Sequence, residues 1–94
     1  METDRLQFRA HAVQRMFERG ISVDEVLALL REGEIIEDYT ADMPAPGELR
    51  LGWAGARPLH AVFAFDAART AAVVVTAYEP SLADWGDTFR QRRA

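Results

Sequence analysis

Apolar residues in the first third of the chain recur at helical spacing. On a 3.6-residue period Ala10, Val13, Met16 and Phe17 fall on one side, while His11, Arg15 and Glu18 lie opposite, with Arg19 on the flank. The first set is expected to be buried, and the second places an imidazole beside guanidiniums. Gly20 suits the left-handed residue that ends a helix, Ser22 can cap the next one, and Glu25 completes a capping box. Ile21 and Val26 supply the matching hydrophobic staple. Val23, Val26, Leu27 and Leu30 then form a stripe that stops at Gly33, so the spacing predicts a second helix over about 23–32 and a helical hairpin overall.

Beyond Gly33 the period changes. Glu34–Tyr39 carries β-branched Ile35 and Ile36 and reads as a short strand, whereas Thr40–Gly47, with two prolines and a glycine, reads as a loop. Leu49, Leu51 and Trp53 alternate with Arg50 and Gly52, the pattern of a half-buried strand, and Gly55–Pro58 turns the chain. Leu59–Phe65 and Ala72–Tyr78 are the most apolar segments, and Asp66–Thr70 is short enough to join them as a hairpin of central antiparallel strands. Parity places Leu59, Ala61, Phe63 and Phe65 on one face, and His60, Val62 and Ala64 on the other; Thr76 and Tyr78 share a face. In the tail, Ser81 is a cap candidate, and Leu82, Trp85 and Phe89 follow at helical spacing interrupted by Gly86, so a short helix with a basic end is expected.

The expected fold is therefore an α+β domain: an N-terminal helical hairpin packed on one face of an antiparallel sheet of about four strands, with a short C-terminal helix. Ninety-four residues with 49% hydrophobic content suit a single domain with one core, small enough that a partner or a second copy is a reasonable expectation. No cysteine is present, so disulfides and thiolate metal sites are excluded, and two histidines make a poor zinc site. The acid-rich 34–48 region lacks a recognised ligand spacing, so neither a metal nor a cofactor is expected. The N-terminus has no signal-like apolar run and no later stretch is long enough to span a membrane, in keeping with a soluble, cytoplasmic protein.

Charge adds a second pattern. The net charge of −4 argues against a nonspecific nucleic-acid coat, but residues 24–48 hold eight acids against Arg31 alone, whereas residues 49–94 hold six arginines against four acids. All eleven basic residues are arginine, which is as consistent with a GC-rich genome as with recognition of phosphate. His11 with Arg15 one turn on is the arrangement of a proton-transfer group beside a phosphate clamp, or of an ordinary solvated helix face. Arg19 could join that clamp or cap the first helix electrostatically. His60 in an apolar strand and Tyr78 at a strand end are either structural hydrogen-bonding groups or acid–base groups at a sheet surface. Arg90, Arg92 and Arg93 would hold a polyanionic substrate or simply keep the tail soluble.

HAVQRMFERGIS (11–22), GEIIEDY (33–39), RPLHAVFAFD (57–66), VVTAYEP (74–80) and the closing W-x-x-x-F with its arginines resemble a bacterial family catalogued as domain of unknown function 4258. The resemblance runs over roughly residues 8–93. That family is thought to be similar to the RelE, barnase and EndoU group of small ribonucleases, built as two helices followed by an antiparallel four-stranded sheet. Some of its members look like toxins encoded beside zinc-finger antitoxins. The resemblance implies a metal-independent endoribonuclease of the toxin type, with RNA as substrate and an antitoxin as partner. Carried over by position, it points to His11, Arg15, Arg19 and Tyr78, with His60 next. A noncatalytic protein-binding module on the same fold is the alternative.

Overall fold

A computed structural model describes residues 5–39 and 46–93. The helical corner forms as its residues dictate. Helix α1 spans Ala10–Arg19 and ends on Gly20 at φ 65°, the left-handed conformation that glycine adopts without strain. Helix α2 spans Val23–Glu32 behind a complete capping box: the Ser22 hydroxyl accepts from the Glu25 backbone N–H (3.1 Å), and Glu25 Oε1 accepts from the Ser22 N–H (2.8 Å).

The strands are β1 (Arg5–Phe8), β2 (Glu34–Asp38), β3 (Gly47–Ala54), β4 (Arg57–Phe65) and β5 (Ala71–Tyr78). They form one five-stranded sheet in the order β1-β5-β4-β3-β2. The expectation of about four antiparallel strands is thus corrected to a mixed sheet of five, because β1 pairs parallel with β5. Its four residues alternate exposed Arg5 and Gln7 with half-buried Leu6 and Phe8, a period-2 signal too short to stand out beside the helix that follows. The turn expected at 55–58 contracts to Gly55 and Ala56, and the hairpin over 66–70 forms as expected. Most of the expected 40–47 loop lies outside the described residues.

Both helices cover one face of the sheet. Ala12, Met16, Ile21, Val26 and Leu29 pack there against Leu59, Ala61, Phe63, Phe65, Ala72, Val74 and Ala77. The inward stripe of α1 is accordingly Ala12 and Met16, and the expected set is corrected: Val13 is half exposed and Phe17 is 87% exposed. Small residues at the contact explain the rotation, since Ala12 lets the helix approach the alanine-bearing surface of β5. In α2, Leu29 takes the buried place expected of Val23, which is half exposed. Phe17→Ser should therefore change stability by no more than about 0.5 kcal/mol, whereas Met16→Ala should lower it by roughly 2–5 kcal/mol. Thermal melts of the two variants check the assignment, and the reverse order would return α1 to the expected face.

The opposite face of the sheet is covered by residues 80–93, which form no helix. Ser81 caps a single turn, accepting from the Asp84 N–H, but Gly86 and Phe89 (φ 60°) then reverse the chain. An antiparallel bridge between Trp85 and Arg92 closes the loop, and the Gly86 N–H donates to the Gln91 carbonyl at 2.9 Å. The expected C-terminal helix is replaced by this looped strap because Gly86 disfavours helix at the point where the aromatic stripe would have to continue. Trp85 is driven into the sheet instead.

Candidate functional site

Two irregularities in the sheet decide which polar side chains meet beneath the strap. Between β2 and β3 the register runs Ile35↔Arg50 and then Glu37↔Leu49, leaving Ile36 as an extra residue. Without that bulge Glu37 would point away from Glu34; with it, both carboxylates lie on the strap side. Between β4 and β5 the register passes from Val62↔Thr76 to Phe63↔Val74, so Val75 is the extra residue. Ala72, Val74 and Ala77 consequently face the helices, and Thr76 and Tyr78, which share a face as expected, turn toward the strap.

His60 stands opposite Tyr78 in the register. Its Nδ1 lies 3.2 Å from the Tyr78 hydroxyl, and its Nε2 lies 2.8 Å from the Phe89 carbonyl oxygen in the strap. A carbonyl only accepts, so Nε2 carries the proton and Nδ1 accepts from Tyr78. Trp85 closes over the imidazole edge-on at 4.3 Å between centroids, leaving His60 fully buried. That burial lowers the imidazole below its ordinary value despite the Phe89 bond, which acts the other way, and burial likewise raises the Tyr78 phenol. Both groups are therefore held neutral near pH 7.

Arg92 joins them from the strap. Its guanidinium binds Glu37 through Nε (3.0 Å) and Nη2 (3.2 Å), lies within reach of the Tyr39 hydroxyl, and sits 4.7 Å over the Trp85 ring. Tyr39 donates to Glu37 in turn. Burial works to raise Glu37, but the bonds from Arg92 and Tyr39 outweigh it and hold the carboxyl below its usual range. Burial and the Glu37 bond raise Tyr39, and the Glu37 bond raises Arg92. Glu37 and Tyr39 were not singled out by sequence. The bulge at Ile36 hides their face from a parity count, and only the GEIIEDY segment as a whole carried a signal.

The remaining candidates lie elsewhere. His11 and Arg15 are exposed on α1, where Arg15 approaches Glu18 at 4.0 Å, and the full thickness of the sheet separates them from the His60 side chain. Arg19 reaches the end of β5, donating to the Ala77 carbonyl at 2.8 Å, and shares a shallow depression with Arg57, Tyr78 and Glu79. Tyr78 thus touches both neighbourhoods. Arg90 is bound to Glu34 and Arg93 to Asp87, so the three tail arginines tie the strap to the domain or to itself.

The model of a family described as Domain of unknown function (DUF4258) matches residues 8–79. The chain belongs to that family. Neither the curated proteins nor the solved structures give a match. The DUF4258 span contains His60, Tyr78, Glu37 and Tyr39, and it ends before the strap that supplies Trp85, Phe89 and Arg92. Among the described residues no helix is long and apolar enough to cross a membrane.

Proposed function

We propose that this domain is a metal-independent endoribonuclease of the toxin type whose reacting groups lie on the strap-covered face. The observation that carries the reading is the cluster of His60, Tyr78, Tyr39, Glu37 and Arg92. It sets a neutral imidazole bonded to one neutral phenol, Tyr78, beside a guanidinium bonded to Glu37 and within reach of a second phenol, Tyr39, with the Trp85 ring in contact with both His60 and Arg92. The reading also draws on the resemblance of the sequence to a family thought to be similar to the RelE, barnase and EndoU group.

In the proposed reaction His60, held unprotonated, takes the proton of a ribose 2′-hydroxyl. The freed oxygen attacks the adjacent phosphorus, and Arg92 stabilises the charge that builds on the phosphoryl oxygens. The bond from phosphorus to the 5′-oxygen then breaks. Tyr78, held protonated, gives its proton to that leaving oxygen, so the products are a 2′,3′-cyclic phosphate and a 5′-hydroxyl. Glu37 orients Arg92 and does not itself touch the phosphate. RNA reaches His60 when Trp85 and Phe89 move off the imidazole while Arg92 stays on Glu37.

A second reading, a noncatalytic protein-binding module, is favoured by a specific observation: both ring nitrogens of His60 are engaged and its side chain is closed off. Incubation of the purified protein with mixed RNAs in EDTA separates the two. Cleavage that leaves cyclic phosphate ends and falls by about 10²-fold in Tyr78→Phe and in Arg92→Gln, with circular dichroism unchanged, is the expected result. Cleavage that falls instead with His11→Ala or Arg15→Ala moves the site to the helical layer. No cleavage above background, or cleavage lost in EDTA, sinks the assignment and leaves the binding module.

A further inference from the structure

On the edge of the sheet away from β1, β3 outruns its neighbour. Pairing with β2 begins at Glu34↔Leu51, so Gly52–Ala54 have β4 on one side and, among the described residues, no strand on the other. A groove of about 450 Å³ opens there between that free edge and α2. Leu29 and Leu59 contribute its apolar floor, and Trp53, 53% exposed, contributes a wall. Helix α2 lies along β3, with Leu29 against Gly52 so closely that a Cβ there would stand 2.5 Å from Leu29 Cδ2, and with the Leu30 carbonyl bonded by Arg50.

The helical wall of this groove is acidic. Asp24, Ala28 and Glu32 recur every four residues along α2 and all line the groove, and neither carboxylate forms an ion pair among the described residues. Arg90 already occupies one end, its guanidinium on Glu34 at 2.8 Å, so the chain itself shows what charge the groove accepts. The two free carboxylates are set two helical turns apart, roughly 12 Å along the axis. An extended chain places alternate side chains on one side, and residues four apart lie roughly 13 Å from each other.

We propose that this groove binds an extended basic segment of a partner protein. The segment adds as a short strand to the free edge of β3 and sets two arginine or lysine side chains, four positions apart, toward Asp24 and Glu32. Main-chain hydrogen bonds to the N–H and C=O of Trp53, which point away from β4, supply the pairing, the carboxylates supply the charge selection, and the Trp53 ring, on the other side of the strand, faces the apolar side chains between the two cations. RNA is disfavoured at the same place by its own negative charge. The groove shares no lining residue with the His60 cluster and binds whether or not that cluster cleaves RNA.

The probe is a fluorescein-labelled, acetylated and amidated heptapeptide, Val-Arg-Val-Thr-Val-Arg-Val, titrated with the intact protein and followed by anisotropy. The expected result is saturable binding, weakened about tenfold or more by Asp24→Asn with Glu32→Gln and unchanged by Glu18→Gln on α1. The backbone amide of Trp53 should exchange more slowly when the peptide is bound. All three carboxylates are exposed, so the folded state is expected to survive, and circular dichroism checks it. Equal binding of a same-composition peptide with its arginines adjacent would overturn the strand geometry. Binding insensitive to the double substitution, binding of an oligouridine probe that depends on Asp24 and Glu32, or no saturable binding at all would overturn the proposal.

Discussion

Glu48→Ala should lower stability by roughly 3–5 kcal/mol, the scale for removing one partner of a buried ion pair. Glu48 is only 4% exposed and lies on the helix-facing side of β3 opposite Phe63. Its Oε1 accepts from Arg50 Nε (3.0 Å) and Nη2 (2.7 Å), and its Oε2 accepts from Arg69 Nη1 (3.0 Å). Arg50 is itself largely buried, stacked over Phe63 and Phe65, and Arg69 lies 4.5 Å over the Phe65 ring. Among the described residues, the Arg50 charge without the carboxylate keeps only the Leu30 carbonyl and the aromatic faces. For a domain of this size the melting temperature should drop by about 12 °C or more. Replacing all three together, Glu48→Leu with Arg50→Met and Arg69→Leu, should recover most of the loss, because no charge is then left buried. A loss below about 1 kcal/mol in Glu48→Ala would mean that the triad is screened by solvent.

Trp85→Ala should both destabilise the domain, by about 3–5 kcal/mol, and release His60. Trp85 is buried against the imidazole and under Arg92, so its loss opens the strap over the second face. The sign of the pH dependence follows from burial. The folded state resists a proton that the unfolded chain accepts below about pH 6.5, so His60 contributes stability above that value and the contribution is lost as pH falls toward the lower folded pKa. Glu34, Glu37 and Asp66 are also lowered in the folded state, but their contributions fade only below the ordinary carboxyl range, so the two windows separate. In Trp85→Ala the imidazole should titrate nearer its ordinary value by NMR. The stability lost between about pH 7.5 and about pH 5.5 should shrink accordingly. An unchanged titration would show that Trp85 does not provide the burial.

Local chemistry explains which parts of this molecule were readable from sequence. The capping box at Ser22 and Glu25 and the end of α1 at Gly20 depend only on neighbours in the chain, and they form as read. The face of α1 depends on what it meets, and the small residues of β5 turn Phe17 outward where a helical period alone would bury it. Parity placed Phe63 and His60 on opposite faces correctly, because β4 carries no extra residue of its own. Counting could not place Glu37, whose face is set by the bulge at Ile36. The pairing of His60 with Tyr78 was legible as a possibility; its closure by Trp85, Phe89 and Arg92 was not, since the spacing of Leu82, Trp85 and Phe89 imitates a helix.

Among the described elements of this domain, strand β1 is made first and is the last that can be satisfied. Its partner on the sheet is β5, with Arg5 beside Ala71 and Phe8 beside Val74, so nearly the whole domain must be made before those backbone groups find their ladder. On a ribosome the helical hairpin and the β2–β4 meander can assemble from contacts between near neighbours in sequence, while Leu6 and Phe8 wait without a sheet to lie on. Closing the sheet therefore couples the first strand of the domain to its last, and a chain stopped after β4 would leave β4 open on one side and β1 with no partner.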